Sequence, residues 1–171
     1  MRIRLEHTAN LSARLIQVWM IADALKCLKR PSFIYNHILI ENEGNVYEAI
    51  DEGVVCCSLA KHFSHKKYRK PYKDEIIDIE FSEAEKARAI AYLNRQVGKK
   101  YEFSNFLFHP IKTITGKWKG QKTDNRHYCY ELVIRAMNAT GKYNLDPFLN
   151  PREFYEEIKK PCLHLQSITA S

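Results

Sequence analysis

The sequence contains no apolar run long enough to cross a membrane. No stretch approaches the roughly 18 to 20 consecutive apolar residues that a spanning helix needs. It also contains no internal repeat, no RNA-recognition signature and no helix-turn-helix pattern. With 45% hydrophobic and 12% aromatic residues, the composition is neither that of a disordered chain nor that of a collagen or coiled-coil repeat. The 171 residues therefore predict one domain, residues 1–171, with a single buried core.

The cysteines do not form the even set expected of a disulfide framework. The five are Cys27, Cys56, Cys57, Cys129 and Cys162. A chain of this size can bury a core without disulfides, so we expect a reducing, cytoplasmic location. Residues 2–24 imitate a secretory signal, but Gln17 and Asp23 interrupt its apolar run. A structural helix explains this segment better, and export stays an alternative.

Positive charge dominates the sequence, with a formal net charge of +7 and a pI near 9.1. Such a surface attracts anionic partners. Two segments, residues 65–73 and 114–126, interleave lysine or arginine with aromatic residues. We interpret both as solvated loops and do not predict nucleic-acid binding. Because the second loop directly precedes Cys129, we predict that it borders the active-site cleft and favours substrates with anionic groups.

Hydrophobic periodicity and turn signals predict a mixture of helices and strands. The predicted strands are residues 2–5, 33–40, 45–50 and 74–81, and the predicted helices are residues 13–28, 82–97, 128–141 and 152–158. A turn over residues 41–44 joins two of the strands into a hairpin, and Ser82 with Glu85 forms a predicted capping box. Residues 54–73 give no clear assignment. The pattern predicts an α+β fold with an antiparallel sheet packed against helices.

Cys129 occupies the first turn of a predicted amphipathic helix in RHYCYELVIRAMNATGK, residues 126–142. It lies on the inward face with Leu132, Val133 and Ala136. One interpretation is a core residue, because free cysteine behaves as a small hydrophobe. The other is a nucleophile, because the positive end of a helix dipole stabilises a thiolate.

A nucleophilic cysteine needs a base and a group that orients the base. His37 is a polar residue in the middle of an otherwise apolar strand. If residues 41–44 form a symmetric loop, His37 faces Glu48 across the hairpin, with Cβ atoms about 4.5 to 5.5 Å apart. A register change of one residue would move Glu48 to the opposite face. The alternative is a surface cross-strand pair.

The order His37, Glu48, Cys129 resembles the circularly permuted branch of the NlpC/P60 papain-like superfamily. The resemblance rests on YNHILIENEGNVYEAIDEGV, GKKYEF, HYCYELV and NPREFYE, and it covers most of the chain. It implies a permuted papain-like fold with Cys129 as nucleophile, His37 as general base and Glu48 as orienting residue. Tyr130 replaces a serine that many relatives carry, and the N-C-E-H-F string of lecithin:retinol acyltransferase-like relatives is absent.

The resemblance implies a cysteine peptidase or amidase that hydrolyses a peptide or aminoacyl amide, with cell-wall peptides among the candidates. A lipid ester or thioester hydrolase or acyltransferase on the same fold is the alternative, and a non-catalytic basic binding module is the rival from another class. The predicted substrate contacts are the aromatic residues Tyr35, Trp118, Tyr128 and Tyr130. No cofactor is expected. The set of Cys56, Cys57, His62 and His65 matches no common zinc spacing, so we predict no metal site.

Overall fold

The described part of the protein combines one antiparallel sheet with packed helices. The computed structural model describes residues 1–8, 35–64, 73–103 and 125–159, together with Thr115. The strands are β1 (Arg2–His7), β2 (His37–Asn42), β3 (Asn45–Ile50), β4 (Gly53–Ser58), β5 (Lys73–Asp78), β6 (Lys100–Tyr101) and β7 (Arg126–His127). The helices are α1 (Leu59–Ser64), α2 (Glu83–Gln96), α3 (Cys129–Ala139) and α4 (Pro151–Lys159). The predicted helix over residues 13–28 lies outside the described residues.

Five strands form the sheet in the order β4-β3-β2-β1-β5. Every neighbouring pair is antiparallel. The α+β prediction with an antiparallel sheet and helices is therefore confirmed. In the described ranges, no helix combines the length and apolar character that crossing a bilayer requires.

The hairpin of β2 and β3 is tighter than the sequence predicts. Its loop is only Glu43 and Gly44, with φ angles of 50° and 76°. Two consecutive positive φ angles are typical of the type I′ turn, whose twist matches that of the flanking strands. Ile40 consequently pairs with Tyr47, whereas the predicted register pairs it with Asn45. The predicted register is wrong by two residues.

This error does not separate His37 from Glu48. Side chains along a strand alternate between the two faces, so a shift of two residues keeps each residue on its face. In the observed register Glu48 is displaced along β3 from the position opposite His37. The two side chains therefore meet diagonally on one face.

The two faces of the sheet differ in chemistry. One face contributes apolar side chains to the core beneath the helices, namely Ile3, Leu5, Ile38, Ile40, Tyr47 and Ala49. Alternation places Arg4, Glu6, His37, Glu41 and Glu48 on the other face, and all five are buried. Alternating charged and apolar residues are typical of a strand with one buried and one solvated face. Here both faces of the sheet are buried at these positions.

Helix α3 packs against α2, β2 and β3. Its residues Leu132, Val133 and Ala136 are fully buried, and a buried leucine or valine contributes about 1.5 to 3 kcal/mol. In α2 the predicted capping box is confirmed, since the backbone N–H of Ser82 donates to the Glu85 carboxylate at 2.7 Å and Ser82 Oγ accepts from the Glu85 N–H at 3.3 Å. The core thus fixes the position of Cys129 relative to β2 and β3.

Residues 54–73, which the sequence leaves unassigned, include most of strand β4 and the short helix α1. Gly53 begins β4 with φ of +121°, and a Cβ at this position would lie 2.5 Å from the carbonyl oxygen of Lys99. The N–H of Val54 donates to that same oxygen at 2.8 Å. Lys99 directly precedes β6, and β6 pairs in parallel with β7, which ends at His127. The contact between Gly53 and Lys99 therefore connects the edge strand β4 to the residues just before Cys129.

Candidate active site

Cys129 is the first residue of α3 and is buried, with 1% of its surface exposed. Tyr128 occupies the N-cap position, and its side chain makes no capping hydrogen bond. A helix start has backbone N–H groups without intrahelical acceptors, and the helix dipole adds partial positive charge there. The start of α3 therefore presents partial positive charge next to the Cys129 side chain.

His37 hydrogen bonds to both other members of the predicted triad. Its Nε2 lies 2.8 Å from Glu48 Oε2, and the ring also hydrogen bonds to Cys129. Because Nε2 is directed at the carboxylate, we assign the contact with the sulfur to Nδ1. The structure brings together the three residues that the sequence selects as catalytic, although the hairpin register differs from the predicted one.

The surroundings of His37 and Glu48 favour the charged form of each side chain. Burial by itself lowers the pKa of His37, but hydrogen bonds to Cys129 and Glu48 outweigh it and hold the pKa well above its ordinary value. Burial likewise opposes ionisation of Glu48, yet hydrogen bonds from His37 and His62 lower its pKa to about 2. At neutral pH an imidazolium at His37 therefore lies between an ionised carboxylate and the Cys129 sulfur.

Sequence reasoning missed two further members of this hydrogen-bonded series. His62 Nδ1 lies 2.8 Å from Glu48 Oε1, and His62 Nε2 lies 3.1 Å from Glu6 Oε1. The sequence suggests His62 only as a member of a candidate zinc set. Glu6 ends the alternating string Arg-Ile-Arg-Leu-Glu, residues 2–6, which is typical of a strand with a solvated polar face, so the sequence does not indicate that Glu6 is buried. Its pairing with His37 across β1 and β2 was the missing information.

Tyr128 and Tyr130 are both predicted to contact a substrate. In the structure, their hydroxyl groups form hydrogen bonds within the protein. The hydroxyl of Tyr130 donates to the carbonyl of Tyr35 at 3.1 Å, and that of Tyr128 donates to the carbonyl of Pro147 at 3.2 Å. Both rings are buried in the core. Tyr130 and Tyr128 therefore stabilise the packing of α3, and their contact with a substrate stays a prediction.

Tyr35 also has a structural environment. Burial and hydrogen bonding to Glu75 raise its pKa to about 12, and its ring packs 6.3 Å from that of Tyr155. These contacts join the segment before β2 to β5 and α4. Trp118 lies outside the described residues, as does almost all of the basic loop over residues 114–126.

The cysteine and histidine set considered for zinc is dispersed. Cys56 is exposed and Cys57 is half-buried on β4, while His62 bonds to two carboxylates. His65 lies outside the described residues. In the ranges that the structure describes, no group of three or more His, Cys, Asp or Glu side chains is arranged to hold a metal ion.

No protein-family model matches the sequence, and comparison with curated proteins gives no match either. The chemistry of the site is therefore argued from its own residues. A thiol at a helix start, an imidazole bonded to it and a carboxylate behind the imidazole form the arrangement that nucleophilic catalysis requires.

Proposed function

We propose that the protein is a cysteine hydrolase that cleaves an amide bond, on a circularly permuted papain-like fold. The substrate class is a peptide or aminoacyl amide. One observation carries the proposal, namely the buried hydrogen-bonded series from Cys129 through His37 to Glu48 at the start of α3. The order of these residues in the chain, with the cysteine last, is the permuted one.

In the first half of the reaction, the Cys129 thiolate attacks the amide carbonyl carbon and forms a C–S bond. The carbonyl electron pair moves to oxygen, and the backbone N–H of Cys129 at the helix start supports this oxyanion. The His37 imidazolium then donates its Nδ1 proton to the leaving nitrogen as the C–N bond breaks. The products of this half are an amine and a thioester on Cys129.

In the second half, the neutral His37 removes a proton from water, which attacks the thioester carbonyl carbon. The C–S bond breaks, the carboxylic acid leaves, and the thiolate and imidazolium are restored. Glu48 holds Nε2 throughout, which fixes the ring orientation and stabilises the imidazolium each time it forms. Both half-reactions therefore use His37 as the group that moves the proton, and its hydrogen bond to Glu48 is already formed in the structure.

Burial of the charged pair supports a functional role over a purely structural one. A cysteine that serves only as a small core residue needs no polar partner. Removing a histidine and a carboxylate from water is costly, and replacement of buried ion pairs by apolar residues is often neutral or stabilising. Apolar residues at these positions could therefore stabilise the fold about as well as the contacts of Cys129 and His37 do.

The test measures thiol reactivity and hydrolysis in the same protein. Iodoacetamide labelling is followed by peptide mass spectrometry from pH 5 to 10, with the exposed Cys56 as the internal reference thiol. We expect Cys129 to label well below pH ~8.5, the ordinary thiol value, and His37→Ala to abolish this. A panel of peptidyl and aminoacyl amides, cell-wall peptides and acyl thioesters then identifies the substrate, with Cys129→Ala inactive on it.

Cys56→Ala is the matched control, because it removes a thiol from the same chain without touching the site. Slow labelling of Cys129 that does not depend on His37 would contradict the proposal and favour a binding module. Turnover of thioesters with none of amides would keep the nucleophile and change the substrate class to lipid-like acyl groups.

A further inference from the structure

His62 is buried at the centre of a second set of hydrogen bonds that the triad chemistry does not require. The side chain lies on the six-residue helix α1, and none of it is exposed. Both ring nitrogens bond to carboxylates on separate strands, Glu48 of β3 and Glu6 of β1. A buried histidine held on both sides in this way has one fixed orientation.

We propose that His62 is a positioning residue for the Cys129 site: it binds the Glu48 oxygen that His37 leaves free, while Glu6 holds His62 from its other side. This inference rests on the proposed function, because it assigns His62 a role in the same reaction. His62 touches neither substrate nor reacting atoms, and it acts through Glu48.

The two histidines divide the Glu48 carboxylate between them. His37 takes Oε2 and His62 takes Oε1, each at 2.8 Å. A carboxylate bonded through one oxygen can still rotate about its last side-chain bond, whereas bonds to both oxygens fix its plane. The orientation of the His37 ring depends on that plane, so His62 determines where Nδ1 of His37 points.

Glu6 keeps this arrangement electrically balanced. Because both acceptors are carboxylates, each His62 nitrogen carries a hydrogen and the ring is an imidazolium. Burial lowers the pKa of His62, but the bonds to Glu48 and Glu6 outweigh it and raise the pKa to about 9. Without Glu6, the His62 charge would be compensated by Glu48 alone and would weaken the hold of Glu48 on His37.

Three variants of the full chain test the role by the pH profile of Cys129 alkylation. In His62→Leu we expect the profile to move toward the ordinary thiol value by about one pH unit, which is roughly a tenfold lower rate near pH 7. Glu6→Gln moves it in the same direction by less. His62→Gln, whose amide N–H still donates to Glu48, recovers part of the wild-type rate. The matched control is Glu41→Gln, a buried carboxylate of the same sheet face that bonds to Arg4, and its profile should match that of wild type.

A second measurement needs no substitution. Histidine ring ¹⁵N shifts in the wild-type protein should show His62 with both nitrogens protonated up to about pH 9. Titration of His62 near its ordinary value of 6.5 would overturn the proposal even if every variant failed to fold. A folded His62→Leu protein with the wild-type alkylation profile would overturn it as well.

Failure of the proposed function has a different signature. In that case wild-type Cys129 labels slowly and His37→Ala changes nothing, whatever the His62 shifts show. If wild-type labelling is fast and depends on His37 while the His62 and Glu6 variants match wild type, the positioning role alone is lost.

Discussion

Two groups of charged side chains occupy the same face of the sheet, and they are built from different cations. At one end, Arg2 and Arg4 bond to Glu41, with Asp74 and Asp78 at the edge strand. We call these five residues the arginine cluster. At the other end, His37 and His62 bond to Glu48 and Glu6. We call these four residues the histidine cluster.

The difference between the clusters is one of titration and exposure. Arginine stays charged at every pH at which the protein is folded, whereas a histidine side chain can release its proton as the pH rises. Arg2 and Asp78 are largely exposed, while every side chain of the histidine cluster is at most 5% exposed. An arginine pair stabilises a strand without moving a proton, whereas a histidine cluster contains groups that can gain or lose one.

Substituting a carboxylate in each cluster should separate the two most clearly. Glu48→Gln leaves two buried histidines without their shared anion. We expect a loss of about 3 to 5 kcal/mol in the free energy of unfolding and at least a hundredfold loss of Cys129 reactivity. Urea denaturation and iodoacetamide labelling measure the two effects. Glu41→Gln is the comparison, with a cost of about 1 to 3 kcal/mol and unchanged reactivity; equal losses of reactivity in both would erase the distinction.

The second prediction concerns stability against pH. His62 has a pKa of about 9 in the folded protein and an ordinary value of 6.5. Its contribution is therefore complete below pH 6.5 and is lost as the pH rises through about 9, because the unfolded chain releases that proton first. Glu48, with a pKa of about 2 against an ordinary 4.5, contributes fully above pH 4.5 and loses this as the pH falls through about 2.

Urea denaturation at a series of pH values measures both losses of stability, the one at high pH from His62 and the one at low pH from Glu48. In His62→Gln the decline between pH 6.5 and 9 should become shallower, whereas in Arg4→Met it should keep its wild-type shape. A decline that is equally steep in wild type and His62→Gln would show that another group causes it.

A smaller effect is expected from the buried arginine itself. Arg4 bonds to Glu41 at 3.2 Å and to Asp74 at 2.5 Å, and it lies over the Phe63 ring at 5.2 Å. Arg4→Met keeps the apolar stem, and Arg2 still reaches Glu41, so we expect a loss of about 1 to 3 kcal/mol in urea denaturation. Cys129 reactivity should stay within twofold of wild type. A tenfold fall would mean that the two clusters are coupled through Phe63, which packs on His62.

The smallest effect should come from Asp78, at the exposed end of the arginine cluster. Its contact with Arg2 is solvent-accessible on both sides, and such pairs contribute about 0 to 1 kcal/mol. Asp78→Asn should therefore shift the urea midpoint little at physiological salt and less at 1 M salt. A loss as large as that of Arg4→Met would place Asp78 in a tighter network than its exposure indicates.

Local signals made part of this fold predictable. The capping box at Ser82 and the strand over residues 45–50 are set by neighbouring residues, so the sequence predicts them correctly. His37 and Glu48 met because alternation along a strand depends only on parity, which the two-residue register error preserved. The predicted turn over residues 41–44 is two residues longer than the observed loop, because Glu43 adopts a positive φ, which is uncommon for a glutamate.

The rest of the site depends on contacts between distant segments. Glu6 meets His62 across 56 positions of the chain, and no spacing rule reports such a pair. Helix α1 has only six residues, too few for a periodic signal, so the segment that carries His62 was unassigned. His37 and Glu48 could be paired from the sequence because they share a hairpin, whereas the bonds of His62 and Glu6 depend on the order of strands in the sheet.

The interior position of β1, between β2 and the edge strand β5, has a consequence for folding kinetics. This strand is the earliest in the chain, yet it pairs with β2 and β5, and Arg2 bonds to Asp78 across 76 positions. Pairings of such long sequence separation require large loops to close before they are rewarded, which slows folding. Because the histidine cluster includes Glu6 of β1, we expect its bonds to be complete only after this slow step. The onset of thiol reactivity during refolding should therefore coincide with the final docking of β1.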